Sequence, residues 1–267
     1  MISRFDIDEA LLMAKPERQH KFVLLFCRRG YLSIEIDQQH YSLGANQFLT
    51  ITPKQFYRFL DTAGEGVVVE FTYDFFCKDD KSIELIYHNG LFCHFALNEI
   101  INIPNESVLK NVEFHLAQLH HELDAQQFEY EASLHAIVKL LLIEVSRCKI
   151  VQQQRPLYKP DAVFLHFLKI VRDTFSKRLT VKEYAAQMNI TEQKLNELTK
   201  KNTGETTQQL INDLIVLEAK RLLNYEDMNV KQVALQLGFD DPHYFSRFFK
   251  KQTASRAKDH LRTLITK

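Results

Sequence analysis

From about residue 20 to about residue 100 the apolar positions come in short runs. Residues 21–27 are a run closed by Arg28, Arg29 and Gly30, and residues 31–36 alternate apolar with polar. Residues 47–52 end at Pro53, and residues 66–73 are rich in β-branched and aromatic side chains. Gly30, Gly44, Gly64, Gly66 and Gly90 punctuate these runs. The pattern predicts several short strands joined by turns, arranged as an antiparallel barrel or sandwich. From about residue 105 the period lengthens. Val108, Val112, Leu116 and Leu119 fall at helical spacing, as do Leu134, Ile137, Val138, Leu141, Leu142 and Val145. Two helices are expected there, turning near residues 124–127. Residues 152–160 are polar and carry Pro156 and Pro160, which predicts a linker. Beyond Asp161 everything reads as helices and tight turns.

That helical part contains one short pattern twice. TVKEYAAQMNIT over residues 180–191 repeats as NVKQVALQLGFD over residues 229–240. In the first copy Thr180 and Glu183 have the spacing of a capping box. Val181, Tyr184, Ala185 and Met188 form one buried stripe. Asn189 suits a left-handed turn. Thr191 caps a second helix with Leu195 and Leu198 inward and Gln193, Asn196, Glu197 and Lys200 outward. In the second copy Asn229 caps, with Gln232 three residues on, and Val230, Val233, Ala234 and Leu237 are buried. Gly238 turns, and Asp240 or Asp241 caps the next helix. Phe245, Phe248 and Phe249 anchor that helix, and His243, Ser246, Arg247 and Lys250 face outward. Cap, short helix, turn and second helix make a helix-turn-helix unit. Between the units, Leu210, Ile211, Leu214, Ile215 and Leu217 predict a spacer helix of about 18 residues, roughly 27 Å long. That length suits two recognition helices one DNA turn, ~34 Å, apart.

Composition changes this picture in one respect. The formal net charge is zero, yet residues 158–267 hold about 19 Lys and Arg against about 13 Asp and Glu, leaving the first part acidic. A basic module that meets phosphate beside one that does not fits this asymmetry. The four cysteines are scattered with no C-x-x-C, so neither a disulfide framework nor a redox motif is expected. No apolar leader or membrane span is read, which leads to the expectation of a cytoplasmic protein with no membrane partner.

ALQLGFDDPHYFSRFFKK over residues 234–251 resembles the signature of AraC/XylS-type transcriptional regulators, I-A-x-x-x-G-F-x-x-x-x-Y-F-x-R-x-F-K. The resemblance runs over about 105 residues, from 160 to 265, and includes LEAKRLL over residues 217–223 in the spacer. It implies a seven-helix DNA-binding domain that places two helices in adjacent major grooves. More weakly, the N-terminal part is similar to the cupin-like sensing and dimerisation domain of many members, a β-barrel followed by two helices. The expected fold class is therefore α+β: a cupin-like domain over residues 1–155 and a double helix-turn-helix domain over residues 156–267. The implied partners are double-stranded DNA, a small-molecule effector, RNA polymerase and a second copy of the chain. The sequence departs from the family pattern at three places. Ala254 and Ala257 stand where Gly and Pro are usual. Glu197 stands where a basic residue is frequent. Thr199 replaces an apolar anchor, which predicts looser packing in the first unit.

The expected DNA-binding residues are Gln193, Lys194, Asn196, Glu197 and Lys200 in the first unit, and Pro242, His243, Ser246, Arg247 and Lys250 in the second. Arg247 suits guanine, Gln193 and Asn196 suit adenine, and a carboxylate such as Glu197 can accept from cytosine N4. Lys200, Lys201, Lys250 and Lys251 suit phosphate. The competing reading of each is a solvated polar side chain on a helix face. Tyr41, Phe56, Tyr57 and Phe71 are candidates to line an effector pocket, against the plain alternative of barrel core. Cys77, His88, Cys93 and His94 lie close together, but their spacing is not that of structural zinc, and no metal or cofactor is expected. Phosphate loops, nucleophile elbows and dinucleotide fingerprints are missing, so no enzyme is expected. The alternative function is a small-molecule-binding or catalytic cupin with a helical interaction domain. A further possibility is a regulator that answers no ligand. The stripe of Ile137, Val138, Leu141, Leu142 and Val145 is expected to pair two copies of the chain, or else to pack on its own barrel.

Overall fold

The computed structural model describes residues 1–7, 16–87, 91–92, 98–153, 161–226 and 228–261. The chain divides into two compact units, Met1–Lys159 and Pro160–Lys267.

In the first unit the strands are β1 (Ile2–Asp6), β2 (Glu17–Arg18), β3 (Phe22–Arg29), β4 (Tyr31–Ile36), β5 (Gln39–Gly44), β6 (Gln47–Ile51), β7 (Phe56–Thr62), β8 (Glu65–Phe71) and β9 (Ile101–Asn102). They form two antiparallel sheets, β1-β8-β3-β6-β9 and β2-β7-β4-β5. The expected barrel is not closed by hydrogen bonds among the described residues: each sheet keeps its own pair of edges. Closure would need an edge strand long enough to pair across, and β2 and β9 are two residues each. The apolar alternation of β4 turns Leu32, Ile34 and Ile36 inward, where they meet Val23, Leu25 and Cys27 of β3 and Val68 of β8 in one core. β3 is buried on both faces from Phe22 to Cys27. The β3–β4 turn requires Gly30, whose φ is +68° and whose absent Cβ would overlap the Ala63 carbonyl oxygen.

Two short helices interrupt the strand region, α1 (Tyr73–Phe76) and α2 (Asp80–Tyr87). Thr72 caps the first by accepting from the Phe75 amide. Asp79 accepts from the Ser82 amide at 2.8 Å, which lowers its pKa. The period-two reading missed both, because caps rather than periodicity start them.

α3 (Glu106–Ala125) and α4 (Tyr130–Gln153) form the expected pair, joined through Gln126 and Glu129 at positive φ. α3 is tied to β3 by the Arg28 guanidinium, which donates to both Glu113 carboxylate oxygens. The stripe expected to pair two chains is instead interior. Ile137, Val138, Leu141, Leu142 and Val145 are all buried within this unit, on a helix that lies against α3, β9 and α2. A half-barrel needs that apolar face as its own cover.

The second unit contains α5 (Ala162–Thr174), a single 3-10 turn (Phe175–Lys177), α6 (Val181–Gln187), α7 (Glu192–Thr203), α8 (Thr207–Tyr225), α9 (Val230–Gln236), α10 (Pro242–Thr253) and a second 3-10 turn (Ala257–His260). Phe164, Phe167, Leu168, Val171, Tyr184, Leu195, Leu222, Phe245 and Phe249 are fully buried there.

Candidate nucleic-acid interface

α6 and α7 form the first helix-turn-helix unit. The Glu183 carboxylate accepts from the Thr180 amide at 2.7 Å, and the Thr180 hydroxyl accepts from the Glu183 amide at 3.3 Å. The Thr180 amide, and after it the Thr180 hydroxyl, which also donates to the carboxylate at 2.7 Å, hold the Glu183 carboxyl below its usual range. Asn189 makes the turn at φ +54°, and Thr191 caps α7. α9 and α10 repeat the plan. Asn229 and Gln232 form the reciprocal cap, Gly238 makes the turn at φ +76°, and Asp241 caps α10 with Pro242 in its first turn. Both pairs of caps satisfy backbone donors that a helix start leaves open.

On α7 the structure exposes Gln193, Lys194, Asn196, Glu197 and Lys200. Gln193 and Glu197 are paired at 3.1 Å. The Asn196 amide is used on both sides: its nitrogen donates to the Glu192 carbonyl, and its oxygen accepts from the Thr207 amide at 3.2 Å. Thr199 does not loosen this unit. It is buried, donates to the Leu195 carbonyl at 2.9 Å and accepts from the buried Thr207 hydroxyl at 3.0 Å. A polar joint between α7 and α8 replaces the apolar anchor.

On α10 His243, Arg247 and Lys250 are exposed, whereas Pro242 and Ser246 are half-buried. The Ser246 hydroxyl donates to the Pro242 carbonyl at 2.9 Å. Arg247 makes no ion pair with a described residue. It lies instead with Ser246, Lys250, Arg256 and Lys258 around an open concavity of about 400 Å³ whose floor includes Val230 and Ala257. Four cations around one hollow concentrate positive potential there. Arg256 and Lys258 escaped the sequence reading because they follow α10 on a 3-10 turn and belong to no helix face. Lys200, Lys201, Lys250 and Lys251 sit in the last turns of α7 and α10, where they also complement the helix dipole.

Arg178 was likewise not legible. It sits at positive φ before α6, and its guanidinium lies 4.0 Å from the Phe239 ring centre and 5.4 Å from that of Phe248. Phe239 is the hub of the aromatic core of the second unit, touching Tyr244, Phe245 and Phe248. Burial pushes the Arg178 guanidinium below its ordinary value, with Tyr244 and Tyr184 acting the other way. An arginine stays charged regardless.

In the first unit, the four aromatic candidates for an effector pocket do not share one space. Tyr41 pairs across from Ile34, and Tyr57 from Ile36, so both face the core between the sheets. Burial raises the pKa of each hydroxyl. Phe56 points the other way, beneath Arg18. Phe71 is on the far face of its sheet in a ring cluster with Phe22, Phe76 and Phe92. No group of three or more potential metal ligands occurs among the described residues; His88, Cys93 and His94 lie outside them. No described helix is long and apolar enough to cross a membrane.

Residues 184–263 match the family model of the Helix-turn-helix domain. HTH-type transcriptional activator RhaS of Klebsiella pneumoniae (strain 342) is 26% identical over 148 residues, covering 55% of this chain and 52% of its own. RhaS of Salmonella paratyphi A (strain ATCC 9150 / SARB42) is 25% identical over the same length. The chain thus spans about half the length of the curated relatives it matches. Among solved structures, ToxT from Vibrio cholerae is 14% identical, with a TM-score of 0.47 over 100% of this chain and 99% of its own. The DNA-binding domain of AdpA in complex with a target DNA is 23% identical, with a TM-score of 0.34 over 36% of this chain and 87% of that one. The second unit is a double helix-turn-helix domain. The motif and the matching family model give this chain a helix-turn-helix domain similar to those of HTH-type transcriptional activators.

Proposed function

We propose that this chain is a sequence-specific, DNA-binding regulator of transcription that lays α7 and α10 into successive major grooves. One observation carries the reading: two fully capped helix-turn-helix units in a single compact unit each expose a polar face on the second helix. Gln193, Lys194, Asn196, Glu197 and Lys200 form one reading face, and Pro242, His243, Ser246, Arg247 and Lys250 the other. Arg256 and Lys258 join Lys250 in holding phosphate. Asn196 is partly committed to the α7–α8 joint, so Gln193 is the better adenine reader of the two.

The first unit is proposed as a cupin-like sensor without enzymatic activity. Its effector would enter between the sheets beside Tyr41 and Tyr57, whose rings pack on the apolar core while the Tyr41 hydroxyl accepts from the Asn98 amide at 3.1 Å. Phe56 and Phe71 then serve packing. A homodimer, contact with RNA polymerase and a cytoplasmic setting complete the proposal; of these, contact with polymerase is what the name of the RhaS relatives, transcriptional activator, suggests.

The test is selection of bound duplexes from a random 30-base-pair library, followed by affinity measurements across salt. Enrichment of two half-motifs about one turn apart, with a steep fall of affinity with salt, is expected. A protein that enriches nothing and shows a flat salt dependence would instead be a small-molecule-binding protein with a helical interaction domain.

A further inference from the structure

A spacer helix fixes how far apart two recognition helices are, but spacing on DNA is also an angle. Each added base pair moves a half-site ~3.4 Å along the axis and turns it by about 35°, given 10–10.5 base pairs per turn. Selecting one spacing therefore needs a frame stiff in rotation. α8 supplies one support, 19 residues long, roughly 28 Å.

A second support lies elsewhere. The segment just before the first unit, residues 175–178, reaches the turn of the second. Gly238 passes so close to Ser176 that an added Cβ would overlap the Ser176 carbonyl oxygen. Beside that approach, Arg178 covers Phe239 and Phe248. Its backbone bond is local, from its amide to the Phe175 carbonyl, and no carboxylate pairs with it among the described residues. The guanidinium is spent on rings, not on an ion pair.

We infer that Arg178 is a positioning residue that sets the spacing specificity of this protein: by clamping the segment that enters the first helix-turn-helix unit onto the aromatic hub of the second, it fixes the rotation of α7 relative to α10. The inference rests on the DNA-binding reading above. A guanidinium on two rings is a directional contact. Its broad, delocalised charge reaches both ring faces, as the compact ammonium of a lysine does not. Such contacts strengthen as they are withdrawn from water.

The experiment repeats the selection from random 30-base-pair duplexes with the wild type, Arg178→Asn and Phe248→Leu. Asparagine tolerates the left-handed backbone at residue 178, and leucine keeps apolar volume while removing one ring. The wild type should enrich two half-motifs at a single separation. Both variants should enrich the same half-motifs at two or more separations, and should lose roughly 3- to 30-fold affinity for the wild-type spacing. Arg178→Lys should behave like Arg178→Asn, because a compact ammonium does not reach both rings. A single unchanged separation in the variants overturns the inference. So does a uniform loss on every duplex with a flatter salt dependence, which would make Arg178 a phosphate ligand. If the wild type itself enriches nothing, the DNA-binding reading falls, and this inference with it.

Discussion

Single residues decide the turns. Ala254 ends α10 at φ +59°, in the left-handed region where a Cβ costs about 1–2 kcal/mol. Gly204 does the same duty after α7 with φ +79° and open space around it. Ala254→Gly should therefore raise stability in urea by about 1 kcal/mol, and no gain would mean that the strain is relieved locally. Gly238 is the opposite case. Its φ is positive and Ser176 stands where a Cβ would go, so Gly238→Ala should cost about 3 kcal/mol or more in the same urea measurement. Asn189, at the matching turn of the first unit, is exposed and has a side chain already, and the repeat made both turns legible in the sequence. Arg178 was not legible, because a side chain that stacks on rings some sixty residues away leaves no local spacing to read.

At the scale of elements, the caps and most of the inward stripes of the helical half could be read from spacing alone, since each is a local hydrogen bond or a helical period, although Val181, Met188 and Val230 are only half-buried. Strands β3, β4, β6 and β8 were readable as short apolar or alternating runs bounded by turn residues. β5 was not, because it is an edge strand with Leu43 its one buried side chain, and so shows no alternation. The α7–α8 joint corrects a different expectation. Thr199 looked like a poor apolar anchor, but it is one half of a buried hydroxyl pair with Thr207. Thr199→Val should leave the Thr207 hydroxyl without its acceptor and cost about 1–3 kcal/mol. Thr199→Val with Thr207→Val should recover much of that loss. A thermal double-mutant cycle reads the coupling, and simple additivity would show that the pair contributes nothing beyond packing.

The whole molecule depends on which face of α4 is free. The stripe that looked like a subunit contact is core: Leu141 and Val145 are 0% exposed. Leu141→Glu with Val145→Lys should therefore unfold the first unit, seen as lost near-ultraviolet circular dichroism, and not yield a folded monomer. The outer face of the same helix carries Ala136, Leu140 and Val151, with Leu140 47% and Val151 60% exposed. If two chains pair through this helix, they meet on that side. Pairing would matter for DNA binding, because joining two weak binders raises affinity through effective concentration. Leu140→Glu with Val151→Lys should leave the fold intact, convert the chain to a monomer in sedimentation equilibrium at tens of micromolar, and weaken binding to a selected duplex that carries two sites. A variant that still sediments as a dimer would place the contact away from α4. A wild type that is already monomeric would leave the two copies to meet only on DNA.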